Sequence, residues 1–189
     1  MPTYTNSFFD KRVQQLFDLA ETIERALTSA GVEYRVVGGL ATYLYVEESV
    51  PDAGRLTRDI DIAVQRRDVQ KIQKAVEPFG LVYRHTAGLD MLVQEAHPSA
   101  RKAVHLVFTG EKVRPDYVQA TPEFGSYQSV QGLRLIPLAD LVGMKLTSFR
   151  AKDEAHLKDL DEAGLITPEI EAGLSSFLRE RLRQVRARE

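Results

Sequence analysis

Apolar residues recur every three or four positions between Ser7 and Ala30. This spacing places them along one face of an α-helix, and Gly31 marks its end. A shorter helical pattern follows at about Leu40 to Val46, and another amphipathic pattern runs from Arg66 to Glu77. The sequence therefore predicts three helices in the first half of the chain.

Short runs rich in β-branched and apolar residues lie between and after these helices, which is typical of β-strands. They are found at Tyr34 to Val37, in the run that ends Asp59-Ile60-Asp61-Ile62-Ala63-Val64, and at Leu81 to Tyr83, Met91 to Val93, Ala103 to Phe108 and Leu133 to Ile136. The segment from Gly110 to Gly132 is rich in Pro, Gly and Ser, which predicts a loop.

The chain after Pro137 is predicted to be helical. We expect one helix from Leu138 to Arg150, with its continuation to Ala163 left open, and a final helix from Pro168 to about Val185. If the first helix is continuous, one of its faces carries Lys145, Phe149, Lys152, His156 and Asp159.

Together these patterns predict an α/β (α+β) fold, with a mixed sheet flanked by helices and further helices at the C-terminus. The chain has 189 residues, of which 43% are hydrophobic, so it is long enough to bury a core. We expect a single domain over residues 1–189, with the core sheet and helices in 1–136 and a helical part in 137–189.

The composition restricts the cellular compartment in which we expect the protein. The chain has no cysteine, which fits a reducing compartment. Its first residues lack a charged start that leads into an apolar run, and no apolar stretch approaches the roughly 20 residues that a membrane span needs. We expect a cytoplasmic protein that does not associate with membranes.

The net charge of −2 argues against a protein that coats nucleic acid generally. Charge is uneven, however, because the tail after Phe177 carries Arg179, Arg181, Arg183, Arg186 and Arg188. Cations suit the C-terminal end of a helix dipole, so a solvated helix end is the simpler interpretation. A local patch that binds RNA or a protein partner is the alternative.

Two carboxylates stand out in the first third of the chain. Asp59 and Asp61 alternate with apolar residues, so in a strand their side chains point to the same side. Like charges held this close resist joint ionisation unless a cation lies between them, and such oxygen ligands suit Mg²⁺ with bound phosphates. The alternatives are an exposed strand end or salt bridges to Arg55 or Arg58.

A glycine pair precedes these carboxylates. Gly38 and Gly39 follow the first predicted strand and open a helical pattern. Because glycine has no side chain, backbone N–H groups at this helix start can approach phosphate oxygens closely.

This order of strand, Gly38-Gly39 turn, helix and Asp-x-Asp strand resembles the nucleotidyltransferase fold superfamily, whose signature is a Gly-Gly or Gly-Ser turn followed by an Asp-x-Asp or Asp-x-Glu strand. The run Arg55-Leu56-Thr57-Arg58-Asp59-Ile60-Asp61 looks most like the minimal and abortive-infection (AbiEii-like) toxin branch. Nineteen residues separate Gly39 from Asp59, which is longer than the commonest spacing in the superfamily.

The resemblance implies a nucleotidyltransferase-like mixed sheet and a metal-dependent activity. Asp59 and Asp61 would hold Mg²⁺ (or Mn²⁺), and a nucleoside monophosphate would pass from an NTP to an RNA or protein acceptor. The chain would then be the toxin or modifying member of a toxin–antitoxin or defence pair, with a cognate antitoxin-like partner.

The resemblance extends, more weakly, from Lys145 to Asp159. In the toxin branch a helix lysine and a downstream Asp or Arg belong to the active site, which points to Lys145, Arg150 and Asp153. We add them, with Arg58, to the nucleotide- or phosphate-binding residues Gly38 and Gly39. Asp153 shares a largely apolar stripe and would need a partner such as Arg150. An exposed helix laced with ion pairs remains the alternative for Lys145.

Active members of the superfamily usually carry a third carboxylate on a neighbouring strand. The best candidate run, Ala103 to Phe108, offers His105 instead. His105 is therefore a candidate metal ligand or general base, and the alternative is a half-buried, hydrogen-bonded histidine. Asp90 and Asp116 are other candidates for the third carboxylate, in poorer strand context.

Three functional hypotheses follow. The first is the metal-dependent nucleotidyltransferase just described. The second is a nucleotidyltransferase-like module that binds nucleotide or a protein without turnover, which the histidine at position 105 keeps open. The third is a structural protein with an accidental Asp-x-Asp.

Overall fold

The computed structural model describes residues 7–96 and 103–188, with the side chains of residues 7–12 left out. The first six residues, on which the expected lack of a signal peptide depends, lie outside this range. Within the described ranges, no helix has the length and apolar character needed to cross a membrane.

The helices of the described residues are α1 (Ser7–Ser29), α2 (Gly38–Ser49), α3 (Val69–Val76), α4 (Leu138–Ser148), α5 (Ala151–Glu162), α6 (Pro168–Gly173) and α7 (Ser176–Ala187). The strands are β1 (Tyr34–Val37), β2 (Ile60–Val64), β3 (Leu81–Thr86), β4 (Leu89–Gln94), β5 (Val104–Phe108), β6 (Gln128–Val130) and β7 (Leu133–Leu135). Single 3₁₀ turns flank α3 at Arg66–Asp68 and Glu77–Phe79.

All seven described strands form one mixed sheet in the order β3-β4-β5-β2-β1-β7-β6. The central strand β2 is antiparallel to β1 and parallel to β5, and β1 is parallel to β7. The remaining neighbours are antiparallel. The mixed sheet flanked by helices confirms the predicted fold class.

The central strands are the most buried part of the sheet. All four residues of β1 are buried, and in β2 only Asp61 is partly exposed. On the sheet, α2 packs against β1 and β2 and also contacts α4 and α5, whereas α1 contacts α3 and β7. The turn from β1 into α2 is therefore held between the sheet and the C-terminal helices.

The helix expected from Leu138 to Arg150 is present as α4, which ends at Ser148, and the continuation to Ala163 that the sequence left open does not occur. Phe149 adopts a left-handed backbone conformation with φ of 47°. Arg181 of α7 donates to the carbonyls of Leu146 and Thr147, the last turn of α4, and stacks over the Phe149 ring. These contacts satisfy carbonyls that a longer helix would use, so they stabilise the break.

Other boundaries also differ from the prediction. β2 begins at Ile60, so Asp59 lies just before the strand, after a bend at Arg58. The final helix is divided, because Gly173 ends α6 and the Ser175 hydroxyl accepts a hydrogen bond from Leu178 N to begin α7. The predicted loop from Gly110 to Gly132 contains the short strand β6.

The buried hydroxyl of Tyr45 gives a test of how α2 is joined to α4. It donates to the carbonyl of Ile136, just before α4, over 2.7 Å. Tyr45→Phe should lower the free energy of unfolding by about 1–2 kcal/mol, because it leaves a buried carbonyl without its donor. Tyr127→Phe is the matched control, since Tyr127 is 51% exposed. Urea unfolding measures both, and equal effects would contradict the prediction.

Candidate functional site

A cavity of about 1000 Å³ lies where the β1–α2 turn, the start of β2, strand β5 and helices α4 and α5 meet. Seven of the nine predicted site residues line it: Gly38, Asp59, Asp61, His105, Lys145, Arg150 and Asp153. Additional cations at its wall are Arg66, Lys112, Arg114 and Lys152. The structure therefore gathers residues that are up to 115 positions apart, from 38 to 153, around one space.

Gly38 allows the β1–α2 turn to approach β2. Its φ of +68° is left-handed, and a Cβ at this position would overlap the Asp61 carboxylate. Only glycine combines this backbone conformation with such a close contact. Helix α2 starts at Gly38 without a side-chain N-cap, so its first N–H groups have no side-chain acceptor.

Two predicted residues lie outside the cavity lining. A Cβ on Gly39 would come within 2.6 Å of Thr57 Oγ1, so this glycine serves the packing of α2 against the loop before β2. Arg58 lines a separate hollow beside α1. The structure thus gives neither residue a contact with the cavity that holds Asp61.

The loop before β2 is fixed at two points. Thr57 Oγ1 accepts a 3.4 Å hydrogen bond from the backbone N–H of Asp59. Arg55 donates through Nε to Oδ1 of the buried Asp159 on α5, over 2.8 Å. The long spacing between Gly39 and Asp59 is therefore spanned by a segment tied to α5, which places Asp59 at the cavity.

His105 lies directly beside Asp61 because β2 and β5 are parallel, with Asp61 opposite His105 in the register. The His105 Nδ1 atom is 3.3 Å from Asp61 Oδ1, and both side chains are about one-quarter exposed, at 23% and 26%. The hydrogen bond to Asp61 raises the pKa of His105, with smaller contributions from the Asp61 and Asp59 charges, against the effect of burial. When Nδ1 of His105 carries a proton, this arrangement lets it donate to the Asp61 carboxylate.

The other candidates for a third carboxylate are placed differently. Asp90 is buried at the cavity wall, but it accepts hydrogen bonds from Tyr83 Oη and from His85 Nδ1. Asp116 is exposed on the loop after β5 and is not part of the cavity lining. Neither residue completes a carboxylate triad with Asp59 and Asp61.

Lys145 and Asp153 form a buried ion pair between α4 and α5. Their side chains are 4% and 1% exposed, and Lys145 Nζ is 3.2 Å from Asp153 Oδ1. Asp153 also accepts from Ser148 Oγ at 2.8 Å and from Arg150 Nε at 2.7 Å. Although burial opposes the charged form, these donors lower the pKa of Asp153 to about 2. The predicted Arg150 partner of Asp153 is thus present.

The sequence assigned no separate role to His156, which lies one turn after Asp153. Its Nδ1 atom is 2.8 Å from Lys145 Nζ. Burial, followed by the nearby Lys145 charge, lowers the pKa of His156 to about 4, so the imidazole is neutral at neutral pH. Burial also lowers the pKa of Lys145, against the opposing influence of Asp153.

The donor set fits a divalent cation that arrives together with phosphates. Mg²⁺ in such sites is held by one or two carboxylates and by substrate oxygens, and Asp59 and Asp61 line the same cavity. In residues 7–96 and 103–188, no three His, Cys, Asp or Glu side chains are grouped to hold a metal ion. The residues therefore fit a shared metal–nucleotide site and do not fit a cation held by protein alone.

The arginine-rich tail is largely engaged within the chain. Arg186 contacts Asp161 and Glu171, Arg188 contacts Glu154, Arg183 contacts Glu180, and Arg181 donates to α4 carbonyls. These contacts favour interpreting the arginine-rich tail as a helix end rather than as a patch that binds RNA or a protein partner.

Comparison with known proteins supports the fold assignment. No family model matches the chain, and no curated protein matches it. Among solved structures, ANT(2'')-Ia in complex with adenylyl-2''-tobramycin matches with a TM-score of 0.58 at 13% identity, over 90% of this chain and 98% of that one. A nucleotidyltransferase-like protein from Paracoccidioides brasiliensis, described as antigenic, matches with a TM-score of 0.56 at 18% identity, over 93% and 89%.

The lincosamide antibiotic adenylyltransferase LnuA, in its lincomycin-bound form, matches with a TM-score of 0.50 at 16% identity, over 79% of this chain and 96% of that one. At such low identities the likeness concerns the fold. The chain has a nucleotidyltransferase-like fold, as the sequence predicts, and the toxin branch is not distinguished by these matches.

The Gly38 contact can be tested with a matched glycine. Gly80 has nearly the same φ, +69°, but a Cβ there meets nothing within 4 Å. Gly80→Ala should therefore cost only the backbone strain of about 1–2 kcal/mol. Gly38→Ala should cost about 1–3 kcal/mol more, because it displaces the Asp61 carboxylate. Urea unfolding compares the two, and NMR should show a lower His105 pKa in Gly38→Ala only. Equal costs and an unchanged His105 would contradict the contact.

His156 gives a prediction of acid stability. Its pKa is lowered from 6.5 to about 4, so between these values the unfolded chain binds more protons than the folded protein. Stability should therefore fall as the pH drops from about 6.5 to about 4, by up to about 3 kcal/mol from this residue. His156→Gln should remove this part of the slope, as measured by urea unfolding at several pH values. An NMR titration that places the pKa of His156 above 6 would contradict the prediction.

Proposed function

We propose that this protein is a nucleotidyltransferase that binds an NTP in the cavity and transfers its nucleoside monophosphate to an acceptor, with release of pyrophosphate. The observation that carries the proposal is the meeting of Gly38, Asp59, Asp61 and Lys145 around one cavity in a nucleotidyltransferase-like fold. Because seven predicted residues line this one cavity, we assign it as the nucleotide site.

Phosphate binding is assigned to the start of α2 and to Lys145. The uncapped N–H groups of α2 carry the positive end of the helix dipole, and the helix begins at Gly38, which lines the cavity. Lys145, which lines the same cavity, adds a point charge. Arg150 lines the same cavity but is engaged by Asp153, so we give it a supporting role at the phosphates.

Asp59 and Asp61 would hold Mg²⁺ or Mn²⁺ together with the NTP, which would neutralise phosphate charge and align the attacking oxygen. The chain itself supplies the orientation of these carboxylates. Asp61 is fixed by the β2 register and by the Gly38 turn, and Asp59 by the loop tied to α5. Preorganised groups of this kind need little rearrangement during phosphoryl chemistry.

The second candidate function is a module that binds nucleotide without turnover. The observation that favours it is His105, which occupies the β5 position beside Asp61 and is hydrogen-bonded to it. An imidazole at this position is a softer and weaker ligand for Mg²⁺ than a carboxylate. Turnover would have to proceed without a third carboxylate beside Asp59 and Asp61, whereas nucleotide binding alone would not need one.

The chemical identity of the acceptor is the most specific part of the proposal. The resemblance of the Arg55 to Asp61 run favours an RNA or protein acceptor, a cytoplasmic toxin role and an antitoxin-like partner. The neighbours ANT(2'')-Ia and LnuA were solved with an adenylylated and a free antibiotic respectively. A small hydroxyl compound is therefore the acceptor class to compare with RNA and protein.

Binding is tested by thermal unfolding with NTP and Mg²⁺ or Mn²⁺. A ligand that binds only the native state at a hundred times its Kd adds about 2.7 kcal/mol to the free energy of unfolding, so the protein should melt at a higher temperature. The Asp59→Asn/Asp61→Asn double variant should lose most of this shift while it remains folded. Glu47→Gln/Asp52→Asn is the control, because these two substitutions remove the same amount of negative charge from residues that do not line the cavity. An equal ligand-induced rise in melting temperature in both double variants would show that the metal–nucleotide site does not depend on Asp59 and Asp61.

Turnover is tested by transfer of label from α-³²P NTPs to total RNA, to co-purified protein and to small hydroxyl compounds, with all four nucleotides and both metals. Label transfer that depends on Asp59 and Asp61 supports the enzyme. Measurable NTP binding without transfer in any combination supports the binding module.

A further inference from the structure

Lys145 reaches the cavity as a buried ammonium held by two acceptors. Its Nζ atom is 3.2 Å from Asp153 Oδ1 and 2.8 Å from His156 Nδ1. An ammonium group has three N–H donors and no acceptor, so two of the three are directed by these contacts. The side chain also lines the cavity that contains Asp61.

We propose that His156 is a positioning residue that, together with Asp153, orients Lys145 so that its third N–H is presented to a phosphate of the bound nucleotide. This inference rests on the proposed nucleotide site and adds a residue to it. His156 is not part of the cavity lining and acts through Lys145.

The contact requires a neutral imidazole with its proton on Nε2, because Nδ1 must accept from the ammonium. The charged groups around His156 are Lys145 and Lys152, Asp153 on its own helix, and Arg55 from the loop before β2. Three of these four are cations, so protonation of His156 would add repulsion beside Lys145. Burial acts in the same direction, since it disfavours the charged form.

Two acceptors of different charge suit this task. Asp153 alone would hold the ammonium by one hydrogen bond, about which Nζ could still pivot. Adding a neutral acceptor fixes a second direction without adding another negative charge, which would repel phosphate. The break between α4 and α5 is what brings both acceptors to one lysine, since Asp153 and His156 belong to α5 and Lys145 belongs to α4.

His156 also packs against the β1–α2 turn, because its Cε1 atom is 3.4 Å from the place of a Cβ on Gly39. A purely structural role is therefore the competing explanation. The two explanations differ in whether the effect of His156 depends on Lys145, which a double-mutant cycle measures.

The experiment compares His156→Leu, His156→Gln, Lys145→Ala and Lys145→Ala/His156→Leu. The Kd of a fluorescent NTP analogue is measured with Mn²⁺ at pH 7.5, alongside thermal unfolding. His156→Leu should weaken binding about tenfold, because a hydrogen bond to a charged group is worth about 1.4 kcal/mol or more. His156→Gln should restore most of the affinity, since its amide oxygen can accept from Lys145. In the Lys145→Ala background, His156→Leu should change the Kd by less than about twofold.

A ligand-free readout accompanies the cycle. The ¹⁵Nζ–¹H signal of Lys145 should be observable in the unchanged protein and in His156→Gln, and weakened by exchange with water in His156→Leu. If His156→Leu weakens binding equally with and without Lys145, the inference is overturned and His156 is structural. If the unchanged protein binds no NTP analogue, the proposed function and the phosphate part of this inference both fail. If the protein binds the analogue but His156→Leu has no effect, the inference alone fails.

Discussion

The candidate site depends on one buried carboxylate at the junction of two helices. Asp153 is 1% exposed, and an isolated charge at that depth would be strongly unfavourable. It is retained because Lys145, Ser148 and Arg150 all donate to it. Removing one partner from such a group typically costs about 3–5 kcal/mol, so the α4–α5 junction holds these side chains in a single arrangement. The same contacts deliver a lysine to the cavity wall.

Backbone hydrogen bonds fix the part of the cavity that carries Asp61 and His105. Parallel pairing of β2 with β5 sets Asp61 beside His105, and the β1–α2 turn closes over Asp61 where only glycine fits. The helix junction and the paired strands therefore place carboxylates and a lysine around one cavity, and the charges that the proposed function needs for a metal–phosphate group are already gathered there. Such preorganisation is the main way in which proteins stabilise phosphoryl chemistry.

The sequence predicts those parts of the structure in which local pattern and tertiary packing agree. The limits of α1, β1 and β5 are close to the expected ones, because α1 has a clear helical period and both strands are short runs rich in apolar residues. The break at Phe149 has no Gly or Pro to signal it and depends on Arg181, which lies 32 positions later in the chain. Strand β6 has three residues, two of them exposed, so it lacks an apolar pattern. Such features are set by contacts that are distant in the sequence.

The same distinction explains what was found and missed in the site. Asp59, Asp61 and Gly38 are separated by short distances in the chain and form a motif, and all three line the cavity. Gly39 belongs to the same motif, yet its missing side chain makes room for Thr57. His156 belongs to no motif, and its contact with Lys145 exists only because the helix breaks between them. A motif therefore identifies the residues that line the cavity more readily than those that hold them there, since the latter depend on how separate helices meet.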